Sequence, residues 1–178
     1  EEALALQPGN VLFLSTRGEL NLREGRYDEA ERDLQQVLSE MPNNAQVLYN
    51  LGISYSELGQ FDEAIIRLKR AVQIEPGHGH AWTGIGVAYE RMGKRDQALE
   101  ALQRAVEVAP DDGYAQRNLG GVLMSLGRTA EALPHLRRAR QALPHDPRAT
   151  FGLAAALVET GRDDDAAEAD ELFTVVIE

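Results

Sequence analysis

Histidine and aspartate clusters are the features of this sequence that come nearest to a metal site. His78 and His80 flank a single glycine, and two imidazoles so spaced can approach one metal ion. The sequence offers no third ligand for this pair, so we interpret it as part of a turn. Asp163, Asp164 and Asp165 are adjacent and lack the alternate spacing by which a calcium loop presents its oxygens. The sequence therefore predicts no metal and no cofactor.

Two further chemical patterns also fail. Gly84, Ile85 and Gly86 begin like a dinucleotide-binding fingerprint, but Tyr89 stands where the third glycine belongs and no strand precedes it. Serine, histidine and aspartate fall at ordinary positions of a repeating pattern and form no catalytic constellation. The chain has no cysteine, which excludes disulfides and thiolate ligands. We predict that the protein is not an enzyme.

The elements that position these residues recur with a period of 34 residues. Glycine and proline, which both break helices, each keep this period through the whole chain. Two such residue types do not stay in phase by chance, so the sequence is a tandem array. The in-phase residues are Gly25, Gly59, Gly93, Gly127 and Gly161, and Pro8, Pro42, Pro76, Pro110 and Pro144.

Each period contains two segments with helical apolar spacing, divided by the glycine and closed by the proline. This order predicts helix, turn, helix, turn, and therefore an all-α solenoid of stacked antiparallel helix pairs over residues 1–178. The start without methionine and the phase of Pro8 suggest a piece of a longer array. The predicted units are the end of a preceding repeat at 1–10, repeats at 11–44, 45–78, 79–112 and 113–146, and a partial or divergent repeat at 147–178.

Local signals in the unit 45–78 agree with this division. Asn44 is predicted to cap the first helix, and Gly59 to end it in the left-handed conformation. Asp62 is predicted to start the second helix near the positive end of its dipole. Gly52, inside the first helix, is expected to let the second helix approach closely, since a glycine there costs about 1 kcal/mol relative to alanine.

Charge narrows the class of partner. The chain has 18 Lys and Arg against 29 Asp and Glu, a net charge of -11. Such a surface releases few counterions on contact with nucleic acid or an anionic membrane, so we expect neither as the main partner. No apolar run reaches the length of a membrane span. The cellular compartment stays undetermined by the sequence.

The repeat unit resembles the tetratricopeptide repeat family. The signature of that family combines a large residue, Leu-Gly and an aromatic residue on the first helix with Ala, a large residue, Ala and Pro on the second. One unit has Leu48, Leu51-Gly52, Tyr55, Ala64, Leu68, Ala71 and Pro76, and the next has Trp82, Ile85-Gly86, Tyr89, Ala98, Leu102, Ala105 and Pro110. Arg17 and Asn21 depart from the signature in the first unit, as does Ala154 in the last.

The resemblance implies a right-handed superhelix whose first helices line a concave groove that binds extended or helical peptides. It implies a non-catalytic protein interaction scaffold that binds a segment of a partner protein. The groove positions carried over to this chain are Gln46, Tyr49, Asn50, Ile53, His80, Thr83, Val87, Tyr114, Arg117, Asn118, Met124 and Phe151.

Two subpatterns of the family were compared with these positions. The clamp that holds a terminal carboxylate is absent, because Ser15, Glu19 and Asn50 begin the corresponding set and no lysine follows. Asn50 and Asn118 match an asparagine ladder like that of the protein O-GlcNAc transferases, but other residues interrupt it. The interrupting residues are Thr16, Gly84 and Gly152.

Two alternatives stay open. The apolar run Val175, Val176 and Ile177 favours a structural array that self-associates through an uncapped end. The ladder favours a substrate-recruiting arm of a larger enzyme, such as a protein O-GlcNAc transferase. A light-scattering concentration series tests the first alternative, and the sequence that follows Glu178 tests the second.

Overall fold

The computed structural model describes residues 10–177, without the side chains of Asp163 and of residues 175–177. Within this range the chain forms ten α-helices and no strand. The helices are α1 (Val11–Arg23), α2 (Tyr27–Glu40), α3 (Ala45–Glu57), α4 (Phe61–Ile74), α5 (Gly79–Arg91), α6 (Arg95–Val108), α7 (Gly113–Ser125), α8 (Thr129–Ala142), α9 (Pro147–Thr160) and α10 (Asp163–Ile177). None of them is long and apolar enough to cross a membrane.

The helices pack as consecutive antiparallel pairs, and each pair stacks on the next. The odd-numbered helices also contact one another directly, α1 with α3 and so on to α9, whereas successive even-numbered helices in the described range share no comparable contact. A stack bends toward the side on which its helices lie closer. The odd-numbered helices therefore line the concave face, which we call the groove. The predicted fold class, an all-α solenoid, is confirmed.

Glycine ends the odd-numbered helices as predicted. The φ angle of Gly59 is 76°, and the other four in-phase glycines lie between 65° and 73°. This left-handed conformation is open to glycine at little cost. Helix α4 begins one residue earlier than predicted. It starts at Phe61, and Asp62 lies within its first turn. The carboxylate still faces the positive end of the helix dipole there.

Side chains cap the starts of the odd-numbered helices. Asn44 Oδ1 accepts a hydrogen bond from the backbone N–H of Val47 at 3.1 Å. His78, a residue type with weak capping preference, performs the same task, since its Nδ1 accepts from the N–H of Ala81 at 3.3 Å. Each cap satisfies a backbone donor that has no partner inside the helix.

The core of each of the first four pairs is centred on a leucine that lies against the mid-helix glycine. Leu68 is fully buried, and a Cβ atom added to Gly52 would lie 2.6 Å from its Cγ. A second glycine, Gly84 of the next helix pair, contacts Leu68 from the other side. Burial of such a leucine contributes about 1.5 to 3 kcal/mol. The close approach that the sequence predicted is therefore made to a leucine side chain.

The last pair differs from the others. Helix α10 begins at Asp163, in phase with the other even-numbered helices, but its buried small residue is Ala169, about one turn later than the in-phase position. The adjacent aspartates at 163–165 form the first turn of this helix. The predicted repeat end at 1–10 falls almost wholly outside the described residues, and so do the side chains of the predicted apolar run 175–177.

Candidate functional site

A pocket opens in the groove between α1 and α3. Its volume is about 400 Å³. All four groove residues predicted on α3 line it together, and three residues of α1 complete its wall. The lining residues are Glu19, Leu22, Arg23, Gln46, Tyr49, Asn50 and Ile53. The pocket combines an aromatic ring and two aliphatic side chains with amide and charged groups, a composition typical of peptide-binding surfaces.

A hydrogen-bonded chain crosses this pocket. The Nε2 of Gln46 donates to Oδ1 of Asn50 at 2.9 Å, and the Nδ2 of Asn50 donates to Oε1 of Glu19 at 3.3 Å. Asn50 is 5% exposed, so its amide is held in one orientation by partners on two helices. A bound backbone would meet the more exposed side chains of Gln46 and Glu19, which this network holds in place, so that little ordering is needed on binding.

Aromatic side chains continue the groove from α3 to the start of α5. The ring of Tyr49 lies 4.9 Å from that of His78 and 6.4 Å from that of His80, centroid to centroid, and both pairs are tilted. Burial raises the pKa of the Tyr49 hydroxyl, and the negative charge of Asp112 raises it further. Tyr49 is therefore neutral at physiological pH, with its hydroxyl available as a hydrogen-bond donor.

Asp112 connects these rings to α7. Its Oδ1 caps the helix by accepting from the N–H of Tyr114 at 2.9 Å and of Ala115 at 3.4 Å. Its Oδ2 is buried and accepts no hydrogen bond among the described residues. The Nδ1 of His80 lies 3.3 Å from this Oδ2, and the two side chains are 67% and 10% exposed, respectively.

Arg117 is the only arginine among the predicted groove residues. The structure pairs it with Asp146, through Nη1 and Oδ2, and both side chains are 18% exposed. Its guanidinium also lies 5.3 Å from the ring centroid of Tyr114. A ligand carboxylate would compete with Asp146 for Arg117, so this end of the groove offers a largely neutralised charge.

The remaining predicted residues lie on the same odd-numbered helices but outside the pocket. Thr83 on α5 donates to the carbonyl of Gly79 at 3.1 Å, and Met124 packs partly against the hydrophobic core. Phe151 on α9 is 56% exposed and meets Phe173 edge to face at 5.9 Å. Val87 and Asn118 are half-buried.

Sequence reasoning missed the groove contributions of residues that cap or precede the helices. His78, Asp112 and Asp146 follow the predicted cap Asn44 at intervals of 34 residues, but their second contacts, across to groove residues, depend on how one pair stacks on the next. Glu19 was assigned only to an incomplete carboxylate clamp. The in-phase position of the three caps was the available signal, because every odd-numbered helix starts beside the groove.

The groove presents groups suited to binding. Within the described part of the chain, no three histidine, aspartate or glutamate side chains are placed to hold a metal ion. What the surface offers is an apolar and aromatic wall, a fixed amide network and one buried carboxylate.

Comparisons with known proteins give the family. A tetratricopeptide repeat model matches residues 83–147 and 122–172, and a second model of the same description matches residues 21–71. The comparison with curated proteins gave no significant match.

Solved structures agree. A crystal structure of MamA is 27% identical over 89% of this chain and 93% of its own, with a TM-score of 0.77. TTC0263, described as a thermophilic TPR protein in Thermus thermophilus, is 24% identical over 94% of this chain and 90% of its own, with a TM-score of 0.76. MamA from Desulfovibrio magneticus RS-1 is 24% identical over 94% and 93%, also with a TM-score of 0.76.

Proteins of tetratricopeptide repeats bind other proteins or peptides and are generally non-catalytic scaffolds. The repeat period, the stacked helix pairs and the two family models all lead to one assignment. The chain belongs to the tetratricopeptide repeat family and is a protein interaction scaffold.

Proposed function

We propose that the groove binds a segment of a partner protein, with the pocket between α1 and α3 as its main anchor site. The observation that supports this most directly is the convergence of Gln46, Tyr49, Asn50 and Ile53 on one pocket of about 400 Å³. A pocket of this size accepts one large side chain of a peptide. The amide of Asn50 then lies close to the backbone that carries that side chain.

Exposed apolar residues extend the surface beyond the pocket. Tyr114 and Phe151 are 53% and 56% exposed on α7 and α9, the next odd-numbered helices along the groove. Aromatic residues of this kind supply much of the binding energy at protein interfaces. A segment anchored between α1 and α3 and running across α5 would reach both rings, so the groove suits an extended occupant with several contacts.

The test selects binders from a library of short random peptides and measures their affinity by fluorescence anisotropy. We expect Tyr49→Ala to weaken the selected peptides by about tenfold, the loss typical of an interface anchor. Ile53→Glu, which places a charge in the same pocket, should weaken them as well. Circular dichroism of both variants verifies that the helices are retained.

Ile66→Ala is the matched control. Ile66 is 62% exposed on α4, one of the even-numbered helices, so its truncation removes a comparable apolar surface away from the groove. Affinity should be unchanged in this variant. Equal affinities for wild type, Tyr49→Ala and Ile53→Glu, or a selection that gives no binders, would refute the groove as the binding surface.

A further inference from the structure

We infer that the groove contains a subsite for a cationic side chain, formed by Asp112 and Tyr49 and covered by His80, and that it selects partner segments carrying an arginine or lysine. This inference rests on the proposed function, since it names the chemistry of the segment that the groove binds. The subsite lies between α3, α5 and α7, next to the anchor pocket.

The buried oxygen of Asp112 is the first observation. Nine-tenths of the Asp112 side chain is buried, yet among the described residues no group donates a hydrogen bond to its Oδ2. A buried carboxylate oxygen without a donor is unfavourable, because it has lost water and gained no partner. His80 is its nearest counterpart, at 3.3 Å, and carries a charge only when protonated.

The next helix pair along the chain shows what such a carboxylate accepts when a cation is present. Asp146 follows Asp112 by 34 residues, and Arg117 follows Thr83 by the same number. Arg117 donates to Oδ2 of Asp146, whereas Thr83 is too short to do the same for Asp112 and donates to its own helix instead. The groove therefore contains one carboxylate neutralised by its own arginine and one equivalent carboxylate without it.

The surroundings of Asp112 suit a cation from another molecule. The ring of Tyr49 lies 6.4 Å from that of His80, the neighbour of Oδ2, and a guanidinium or ammonium group is attracted to the face of such a ring. His80 covers Oδ2 but is 67% exposed, so its ring can swing outward and give access. The net charge of -11 attracts a basic segment at long range.

The experiment uses the same random peptide library as probe. Peptides selected on the wild-type protein should be enriched in arginine or lysine at one position. Replacement of that residue by citrulline or norleucine should weaken binding by about tenfold or more, the effect of losing a charged hydrogen bond. Asp112→Asn keeps an Oδ1 atom for capping and should bind the charged and neutral peptides equally.

Two variants of groove residues should change the preference for basic peptides in opposite ways. Thr83→Arg supplies the internal cation that Arg117 gives one repeat later, so it should abolish the basic preference. His80→Ala uncovers Oδ2 and should keep or strengthen that preference. Asp111→Asn is the matched control, since it removes the same charge from the exposed neighbouring residue and should leave the preference intact.

The outcomes separate the two proposals. Peptides that require Tyr49 but show no basic enrichment, or a charge preference that survives Asp112→Asn, would overturn the cation subsite while leaving the groove in place. If Asp111→Asn removed the basic preference as fully as Asp112→Asn does, the preference would arise from overall charge, and this result would also overturn the subsite. A selection that yields no groove binders refutes the proposed function itself.

Discussion

The same substitution, glycine to alanine, should have opposite effects at two glycines inside odd-numbered helices. Gly52 on α3 faces the core, where an added Cβ would lie 2.6 Å from Cγ and 2.8 Å from Cδ2 of Leu68. Gly121 on α7 is exposed, and an added Cβ would meet no atom of the described structure within 4 Å. Both lie well inside their helices, so the intrinsic preference for alanine is the same.

The magnitudes follow from two terms. Alanine gains about 1 kcal/mol over glycine in a helix interior, so Gly121→Ala should raise the free energy of unfolding by roughly that amount. At Gly52 the same gain opposes overpacking, which costs about 1 to 3 kcal/mol. Leu68 is fully buried, and the added Cβ would also lie 3.3 Å from the backbone carbonyl oxygen of Ala64, which a shift of the leucine side chain does not relieve. We expect Gly52→Ala to lower the free energy of unfolding by up to about 2 kcal/mol.

Urea unfolding followed by far-ultraviolet circular dichroism measures both effects. The midpoint and the slope are compared together, because a repeat array can lose its end repeats before the rest unfolds. In a Leu68→Ala background the space beside Gly52 is released, so Gly52→Ala should become stabilising there. The packing argument is wrong if Gly52→Ala and Gly121→Ala stabilise the wild-type protein equally, or if the sign at Gly52 does not depend on Leu68.

Two further perturbations test the polar contacts at the ends of the described array. The guanidinium of Arg162 and the hydroxyl of Thr160 lower the pKa of Asp165 from 3.8 to about 2. The stabilisation by the Asp165 carboxylate is therefore present above about pH 4 and is lost as the pH falls toward 2. Asp165→Asn should flatten the decline of the urea midpoint across that interval, and an unchanged decline would contradict this role of Asp165. Arg17 donates a hydrogen bond to the buried Asp33 at 2.6 Å, so Arg17→Ala should lower the free energy of unfolding, measured in urea titrations, by about 1 to 3 kcal/mol. Arg17→Leu combined with Asp33→Ala should recover most of that loss, because no buried charge is then left unpaired. Equal losses in the two variants would refute the importance of this ion pair.

Much of the fold was predictable from glycine and proline alone. Gly59 and its in-phase equivalents end helices because the left-handed conformation requires them, and the small size of Gly52 reports a close packing contact that any neighbouring sequence must satisfy. These constraints act within one repeat, so the sequence of a single repeat is enough to predict them. The adjacent aspartates at 163–165 are typical of a helix start, because a carboxylate is stabilised near the positive end of the helix dipole, and α10 does begin at Asp163.

The candidate site was only partly predictable, because its contacts join residues of different helices. Its location on the odd-numbered helices follows from the repeat, and four predicted residues do share one pocket. The hydrogen-bond and ion-pair partners of each side chain do not follow from the repeat. The structure pairs Arg117 with Asp146 and leaves one buried oxygen of Asp112 without a donor among the described residues, and the repeat pattern predicts neither arrangement.

These cases share one spacing, which relates a groove residue to the cap that follows it along the chain. Arg117 contacts the cap that lies 29 residues later, Asp146. Tyr49 contacts the residue at the same separation, His78, through its ring. The corresponding pair in between, Thr83 and Asp112, makes no such contact because threonine is short. Repeats 45–78 and 113–146 thus combine a groove residue with the cap of the following helix, whereas in repeat 79–112 the groove residue is too short to reach the cap, and the Oδ2 of that cap has no donor among the described residues.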